Sequence, residues 1–335
     1  MNDVPSLRKP FQSWKLYYFL FANILAILLI SGYHYTAKLF QEPIDRKLQL
    51  IYKNLPTLTT NTHSIRLNTI SKSFLGTPYE LGSLGEGENG EYDQYPLYRL
   101  NSFDCLTFVE TTIALALSNN PQQFKKKIIQ LRYKNGHIAF INRNHFTELD
   151  WNINNQKQGF LQDITANFHD ATGSSVIKYA TVTIDKANWY QYLTSNNIRL
   201  KQPLDITPAK HLQQLRAAGA QFKPKTIKVA YIPLNILFDK HNHPNLYVFK
   251  QIPTGSVLQI IRPNWNTKER IGTDMVISHL GFVFVHNNQL RFRHASSTQK
   301  AVVDNSLISY LRTAKQSPTI KGIHIEKITF HNISP

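Results

Sequence analysis

Cysteine is almost absent from this chain of 335 residues, which contains a single one, Cys105. One thiol excludes an intramolecular disulfide framework and every zinc site that is built from several cysteines. Three roles remain for it: an inert buried thiol, an intermolecular bridge, or a nucleophile. The composition is otherwise globular, 42% hydrophobic and 18% charged, which excludes wholesale disorder and a polytopic membrane protein.

Acidic residues are scarce as well, because 21 Asp and Glu stand against 38 Lys and Arg and give a formal net charge of +17. Such a charge is typical of proteins that bind nucleic acid, anionic lipid or an anionic polymer such as a cell wall. The sequence has no cluster of Lys and Arg interleaved with aromatic residues, and no helix-turn-helix or RNP motif. We therefore expect no nucleic-acid partner.

The only long apolar run is Leu16–Gly32, which Arg8, Lys9 and Lys15 precede. Its length lies between the core of a signal peptide and a minimal membrane span. Residues 30–32 form a poor cleavage site because the −3 residue is large, so we favour an uncleaved inner-membrane anchor over a removed signal peptide. A buried helix of a soluble domain is the third alternative. The preceding basic residues predict that the remainder lies on the periplasmic side of the cell envelope.

Helical patterns come first after this run, and strand patterns follow. Helices are predicted at 43–55, about 63–75, 105–117 and from the Thr207-Pro208 pair to Gly219. Four glycines and few apolar residues predict a long exposed loop at 82–95. Strands are predicted at 227–232, 246–250, 256–262, 276–285, 290–295 and 320–330. Helices followed by a sheet predict an α+β fold.

Cys105 lies in the first turn of its predicted helix, where Asp104 is placed to be the N-cap. Unpaired N–H groups and the positive end of the helix dipole stabilise a thiolate at that position. The same N–H groups could donate to the oxyanion of an attacked carbonyl. The alternative is that Cys105 is only a small hydrophobic side chain in a buried helix.

A cysteine nucleophile needs a base, normally a histidine, and a predicted hairpin supplies a candidate pair. A two-residue turn at Asn287-Asn288 would pair 285 with 290, 283 with 292 and 281 with 294. His279 and His294 then share one face with Cβ atoms ~7 Å apart or less. In that arrangement His279 is the base and His294 orients it. Two structural histidines on a half-buried sheet are the alternative.

Four segments resemble the NlpC/P60 superfamily of cysteine peptidases and amidases, and more narrowly its DUF1460 branch, the N-acetylmuramoyl-L-alanine amidase-like proteins. They are FLGTPY at 74–79, RLNSFDCLTFVETTIALALS at 99–118, DMVISHLGFVFV at 274–285 and FRHASS at 292–297. The resemblance covers roughly residues 65–330 and is weakest over 165–230. It implies a papain-like core in which the nucleophile helix packs on an antiparallel sheet, with extra N-terminal helices and insertions. The chain then divides into an anchor or signal segment, 1–40, and one catalytic domain, 41–335.

By this resemblance Cys105 matches the nucleophile, His279 the general base and His294 the orienting residue. Asp104 matches the acid beside the nucleophile, and we assign it a capping and positioning role. Tyr79 matches an aromatic that lines the substrate groove. The segment RNHFTELDW at 143–151 is similar to a feature of the branch. The residues of it that could contact sugar or peptide are Arg143, His145 and Trp151, although such a loop is as often structural.

Two departures from the family pattern concern loops near the site. The family usually has a Gly-Asp pair where this chain has Gly255-Ser256, and the spacing of fifteen residues between His279 and His294 is slightly longer than common. His241 and His243 have metal-ligand spacing, but no carboxylate cluster accompanies them. We therefore expect neither a metal nor an organic cofactor.

The resemblance implies an exported cell-wall hydrolase whose partner is peptidoglycan or a muropeptide. The bond between N-acetylmuramic acid and L-alanine is the first candidate for cleavage. The bond between D-Glu and the diamino acid, which sister enzymes cleave, is the second. A non-catalytic wall-binding module and a lipid acyltransferase are alternatives of a different class.

Overall fold

The computed structural model describes residues 44–59, 62–201 and 207–329. From Ile51 onward the chain forms one compact unit, while residues 44–50 belong to another. The predicted anchor at 16–32 lies outside the described residues. Within the three described ranges, no helix is both long and apolar enough to cross a membrane.

The helices of the described ranges are mostly short, and those that were predicted are present. They are α1 (44–53), α2 (His63–Ser73), α3 (Cys105–Ala116), α4 (Pro121–Arg132), α5 (Asn152–Lys157), α6 (Lys186–Tyr192), α7 (Pro208–Gly219), α8 (Leu234–Leu237), α9 (Leu246–Phe249), α10 (Lys268–Ile271) and α11 (Leu307–Ala314). The four predicted helices are confirmed as α1, α2, α3 and α7, to within two residues at each end. In α7, Thr207 caps the first turn and Pro208 takes the first position, where its missing N–H costs nothing.

One antiparallel sheet carries the fold. Its strands are β1 (Leu161–Asp163), β2 (Lys178–Ile184), β3 (Lys225–Pro233), β4 (Ser256–Ile261), β5 (Ile277–His286), β6 (Gln289–Ser296), β7 (Ala301–Ser306) and β8 (Gly322–Ile328). They lie in the order β2-β3-β8-β4-β5-β6-β7, and β1 also pairs with β8. The last strand of the described residues, β8, therefore lies inside the sheet between β3 and β4.

The β5–β6 hairpin has the predicted register, because Val285 pairs with Leu290 and Val283 with Phe292. Its turn uses two asparagines with positive φ, 48° at Asn287 and 59° at Asn288. Gly281 is required where the strands approach His294, since a Cβ there would come within 2.6 Å of the His294 Cβ. The hairpin thus brings residues 279 and 294 together.

Helix α3 packs on this hairpin and is almost completely buried. Phe108 makes an edge-to-face contact with Phe282 of β5, the ring centroids being 5.7 Å apart. Burying each of these rings contributes about 2–3 kcal/mol. A separate apolar cluster joins the sheet to α8, α9 and α11. The predicted arrangement of a buried helix on an antiparallel sheet is therefore present, with Cys105 at the first turn of that helix.

The predicted strand at 246–250 is wrong, because this segment is the helical turn α9. Leu246 and Tyr247 are exposed whereas Val248 and Phe249 are buried, a pattern that one face of a helix produces and an alternating strand does not. The side chain of Asn245 accepts a hydrogen bond from the N–H of Val248 and begins the turn. The Asn245 cap and the burial of one helical face stabilise the turn more than the β-propensity of these residues favours a strand.

The predicted exposed loop at 82–95 has no regular structure, but much of it is buried. Glu86 and Asp93 are 4% and 0% exposed, because each forms an ion pair with an arginine from a distant part of the chain. Glu86 pairs with Arg143 and Asp93 with Arg199. Glycine content correctly indicated irregular backbone here, but the two buried acids face arginines rather than solvent.

Candidate active site

Asp104 and Thr107 form a reciprocal cap at the start of α3. The Asp104 carboxylate accepts a hydrogen bond from the N–H of Thr107 at 2.8 Å, and the Thr107 hydroxyl accepts one from the N–H of Asp104 at 2.9 Å. The second carboxylate oxygen of Asp104 accepts from the N–H of Gly82. The predicted capping role of Asp104 is confirmed, and this cap fixes where Cys105 lies.

The thiol of Cys105 is protonated at neutral pH. Burial and the neighbouring Asp104 charge raise the pKa of this thiol to about 12, although the N–H groups of Leu280, Leu106 and Cys105 itself act to lower it. The N–H groups at the helix terminus act to stabilise a thiolate, as the sequence predicted. The donors are in place, but desolvation and Asp104 outweigh them, so the thiolate must be made by removing a proton.

The two predicted histidines contact each other directly. Nε2 of His279 and Nδ1 of His294 lie 2.7 Å apart. Burial and, to a smaller extent, the positive charge that His294 can carry lower the pKa of His279 to about 3. Burial also lowers the pKa of His294 to about 4. Both rings are therefore neutral at physiological pH, which leaves His279 able to accept a proton.

An amide that no sequence pattern predicted completes this chain of hydrogen bonds. Nε2 of His294 lies 3.1 Å from Oδ1 of Asn305, and Nε2 of Gln299 donates to the same oxygen. Because that oxygen only accepts, the proton of His294 is on Nε2 and its Nδ1 accepts from Nε2–H of His279. This assignment leaves Nδ1 of His279 unprotonated, the state that a general base requires.

Several contacts place Cys105 beside the histidine pair. The N–H of Leu280, the residue after His279, donates to the Cys105 thiol. Burial and the charge of Cys105 raise the pKa of Tyr310 to about 12, and the ring of this tyrosine lies 6.4 Å from that of His279. Burial, Cys105 and Asp104 likewise raise the pKa of Tyr79 to about 12. Both phenols therefore stay protonated near the thiol.

Arg143 and His145 line a small pocket beside the start of α3. The pocket has a volume of about 150 Å³, and Asp104 and Thr107 form part of its wall. Nε2 of His145 lies 2.8 Å from the carbonyl oxygen of Phe140, to which it donates. Burial, Arg143 and Lys186 hold the pKa of His145 well below its usual value. His145 is thus a neutral side chain with a fixed tautomer.

The structure does not bring Trp151 to this pocket. Its side chain is fully buried, with none of its surface exposed. A side chain without exposed surface cannot contact a ligand, so Trp151 is not a substrate-binding residue in this structure.

Three residues near the predicted triad were missed: Asn305, Gln299 and Tyr310. Asn305 is on β7, a strand that the sequence did not predict, so no pattern placed it beside His294. Tyr310 is on α11, which follows directly. In the part of the chain that the structure describes, no three His, Cys, Asp or Glu residues are placed to hold a metal ion.

Comparisons with known proteins agree on the kind of fold. The chain is 45% identical to a Legionella pneumophila protein of the DUF1460 family, with 86% of this chain and 95% of that chain covered and a TM-score of 0.81. It is 20% identical to an N-acetylmuramoyl-L-alanine amidase from Bacteroides uniformis, with coverage of 80% and 99% and a TM-score of 0.57. At this lower identity the likeness shows the fold alone.

A third solved structure, described as a candidate xylanase from Bacteroides fragilis, is 21% identical over 78% of this chain and 99% of that chain, with a TM-score of 0.55. No match is found among curated proteins. The sequence profile of one family, described as N-acetylmuramoyl-L-alanine amidase-like, matches residues 69–320, which include the capped cysteine and both histidines. This chain therefore belongs to the N-acetylmuramoyl-L-alanine amidase-like family.

Proposed function

We propose that this protein is a cysteine amidase that hydrolyses the bond between N-acetylmuramic acid and L-alanine in peptidoglycan or muropeptides. The observation that carries the proposal is the hydrogen-bonded series His279–His294–Asn305 beside the capped Cys105. A neutral base held by a second ring, next to a lone thiol at a helix start, is the arrangement that nucleophilic catalysis needs.

The first step is attack on the amide carbonyl. Nδ1 of His279 takes the thiol proton as Sγ of Cys105 bonds to the carbonyl carbon, and the carbonyl oxygen becomes an oxyanion. The backbone N–H groups at the start of α3 that donate to the Cys105 thiol are the proposed donors to that oxygen. The low pKa of His279 makes it a weak base at rest, so these donors must stabilise the charge that forms.

The second step separates the products. The C–N bond breaks as His279 returns its proton to the leaving nitrogen of L-alanine, which leaves a thioester between Cys105 and the lactyl carbonyl. Water then gives a proton to His279 and attacks the thioester carbon, which releases a carboxylic acid and restores the thiol. Asn305 and His294 act as positioning residues throughout, because they hold the His279 tautomer.

Family membership supports the choice of bond, and the +17 charge agrees with an anionic wall as the substrate. We further propose that the helix and sheet around the site form a papain-like core of the NlpC/P60 type. We place the protein on the periplasmic side of the envelope, because the apolar run at 16–32 follows basic residues.

A product analysis tests the bond. The full chain is incubated with an N-acetylmuramoyl tripeptide, L-Ala-D-Glu-diaminopimelate, and the products are identified by mass spectrometry. We expect free N-acetylmuramic acid and an intact tripeptide, with no reaction in a Cys105→Ala variant. Release of the diamino acid with L-Ala-D-Glu left on the sugar would indicate the second candidate bond. Full activity of Cys105→Ala would refute the mechanism.

A further inference from the structure

A second cleft lies beside the small pocket at the start of α3 and is strongly basic. It is open, with a volume of about 760 Å³. Its lining contains one acidic residue, Asp150, and six basic ones: Lys134, Arg143, Lys157, Lys186, Lys223 and Lys225. The proposed hydrolysis at Cys105 does not use the lysines of this cleft.

Two of the six basic side chains are neutralised within the protein. Lys186 lies 2.9 Å from the Asp150 carboxylate, and Arg143 lies 2.5 Å from that of Glu86. The other four, Lys134, Lys157, Lys223 and Lys225, are exposed, and none has an ion-pair partner among the residues that the structure describes. The cleft therefore presents four uncompensated positive charges to solvent.

The cleft adjoins the pocket at the start of α3. Arg143 and Asn144 line both, and the pocket wall also includes Asp104, the cap of the helix that begins with Cys105. A chain whose reacting bond lies at Cys105 could therefore extend past Arg143 into the basic cleft.

The wall of the cleft also offers ordered apolar surface. The ring of Phe222 stacks on Tyr190 at 5.8 Å between centroids, and the Lys186 ammonium lies 4.6 Å above it. Ile141 and Ile153 are further lining residues. A ligand that combines carboxylates with aliphatic side chains matches this lining better than a neutral sugar does.

We propose that this cleft binds the stem peptide of the substrate through its free carboxylates. The proposal rests on the proposed function, in which the acyl side of the bond is a sugar ether without charge in its ring and the amine side is a peptide. The D-Glu and diamino acid residues of that peptide carry carboxylates. Charge complementarity therefore assigns the basic cleft to the leaving-amine side of the site.

Binding is measured by titration calorimetry with the full chain carrying Cys105→Ala, so that no ligand is consumed. One ligand is N-acetylmuramoyl-L-Ala-D-Glu-diaminopimelate with free carboxylates, and the other is the same compound with its carboxylates amidated. Lys223→Glu/Lys225→Glu reverses two charges in the cleft. Lys240→Glu/Lys250→Glu is the matched control, because it makes the same net change at two exposed lysines outside the cleft.

We expect the cleft variant to weaken binding of the free-carboxylate ligand about tenfold, since lost ion pairs are replaced by repulsion. The affinity of the cleft variant for the amidated ligand should change by less than about twofold. The affinity of the control variant for the free-carboxylate ligand should also change by less than about twofold. Added salt should reduce the difference between the two ligands, because screening weakens exposed charge pairs.

An equal loss of affinity for the free-carboxylate ligand in the cleft and control variants would refute the proposal. Equal affinity of the Cys105→Ala protein for the two ligands would refute it as well. Lysine-dependent binding of inorganic polyphosphate without binding of the peptide would also refute it and indicate a phosphate polymer. The proposed function is judged separately by products from the parent enzyme. If the parent cleaves no amide while Cys105→Ala binds the peptide through these lysines, the cleft assignment stands and the amidase proposal fails.

Discussion

Two buried histidine clusters lie in the same sheet: the active-site cluster around His294 and the structural cluster around His324. They differ in the side chain that each histidine contacts. On β6, His294 is 2% exposed and faces the amide oxygen of Asn305 at 3.1 Å. On β8, His324 is 3% exposed and faces the carboxylate of Glu326 at 3.1 Å. Burial and distance are matched, so the chemistry of the partner is what distinguishes the two.

The pKa values of the two histidines move in opposite directions. Burial lowers the pKa of His294 to about 4, and the Asn305 amide offsets little of that shift. Burial also acts to lower the pKa of His324, but the hydrogen bond and the charge of Glu326, together with the charge of Asp163, raise it overall. Burial therefore keeps His294 neutral, since its amide partner does not offset that effect, whereas the carboxylate beside His324 favours the protonated form of that ring.

The largest effect on activity is expected from His279→Gln. Glutamine keeps a polar side chain at the site but cannot accept the thiol proton, so kcat/KM should fall by about 1,000-fold or more. Chemical denaturation should show a free energy of unfolding within about 1 kcal/mol of the parent, since a neutral polar side chain is replaced by another. Steady-state kinetics measure this effect. If the variant retains more than a tenth of the parent kcat/KM, His279 is not the general base.

Glu326→Gln makes the opposite test on the structural cluster. The buried His324 cation loses its partner, and removing one member of a buried pair costs about 3 kcal/mol. Because the folded pKa of His324 is raised, its stabilisation is complete below pH 6.5 and is lost as the pH rises through the folded value. The deficit of the variant in urea unfolding should therefore be largest near pH 6 and shrink at higher pH.

Asp163→Asn is the control for that experiment, because its carboxylate lies farther from His324, at 3.8 Å, and is partly exposed. Its deficit should stay below about 1 kcal/mol. Activity per folded molecule should be unchanged in both variants. A pH-independent deficit in Glu326→Gln would show that His324 is not charged in the folded protein.

Asn305→Asp should convert the active-site cluster towards the structural one. A carboxylate behind His294 favours the protonated ring, so the acid limb of kcat/KM should move to higher pH by about one unit. The histidines titrate as a coupled pair, and the profile reports the pair rather than one ring. Asn305→Ala is the control, which should lower kcat without moving that limb upward. If the pH profiles of Asn305→Asp and the parent superimpose, the role assigned to this amide is contradicted.

Local patterns were enough to predict most of the site. The N-cap at Asp104 depends on residues within one helical turn, and the hairpin register depends on the adjacent Asn287-Asn288 turn. The cap predicted the start of the helix, and the turn predicted the contact between His279 and His294. Both are confirmed because turn and cap geometry involve only neighbouring residues.

Features that depend on distant partners could not be predicted in the same way. Strand β7 has the polar sequence AVVDNS and is a strand because β6 offers an edge to pair with, so Asn305 was missed. The segment at 82–95 is buried by arginines such as Arg199, which is 106 positions beyond Asp93. The raised pKa of Cys105 also follows from tertiary burial, which no helix-terminus argument contains.

The smallest expected effect concerns Tyr310, which packs on the active-site cluster. Its ring lies 4.9 Å from that of Phe292 and 5.2 Å from that of His294. If packing that excludes water is the role of this ring, Tyr310→Phe should change kcat/KM by less than about threefold, because the ring and its burial of the histidines remain. Tyr310→Ala should instead expose His294, raise its pKa and move the acid limb of the pH profile upward. A large loss in Tyr310→Phe, with the pH profile unmoved, would give the phenol itself a contact with substrate. In that case the active-site cluster would differ from the structural one by a donor as well as by its amide.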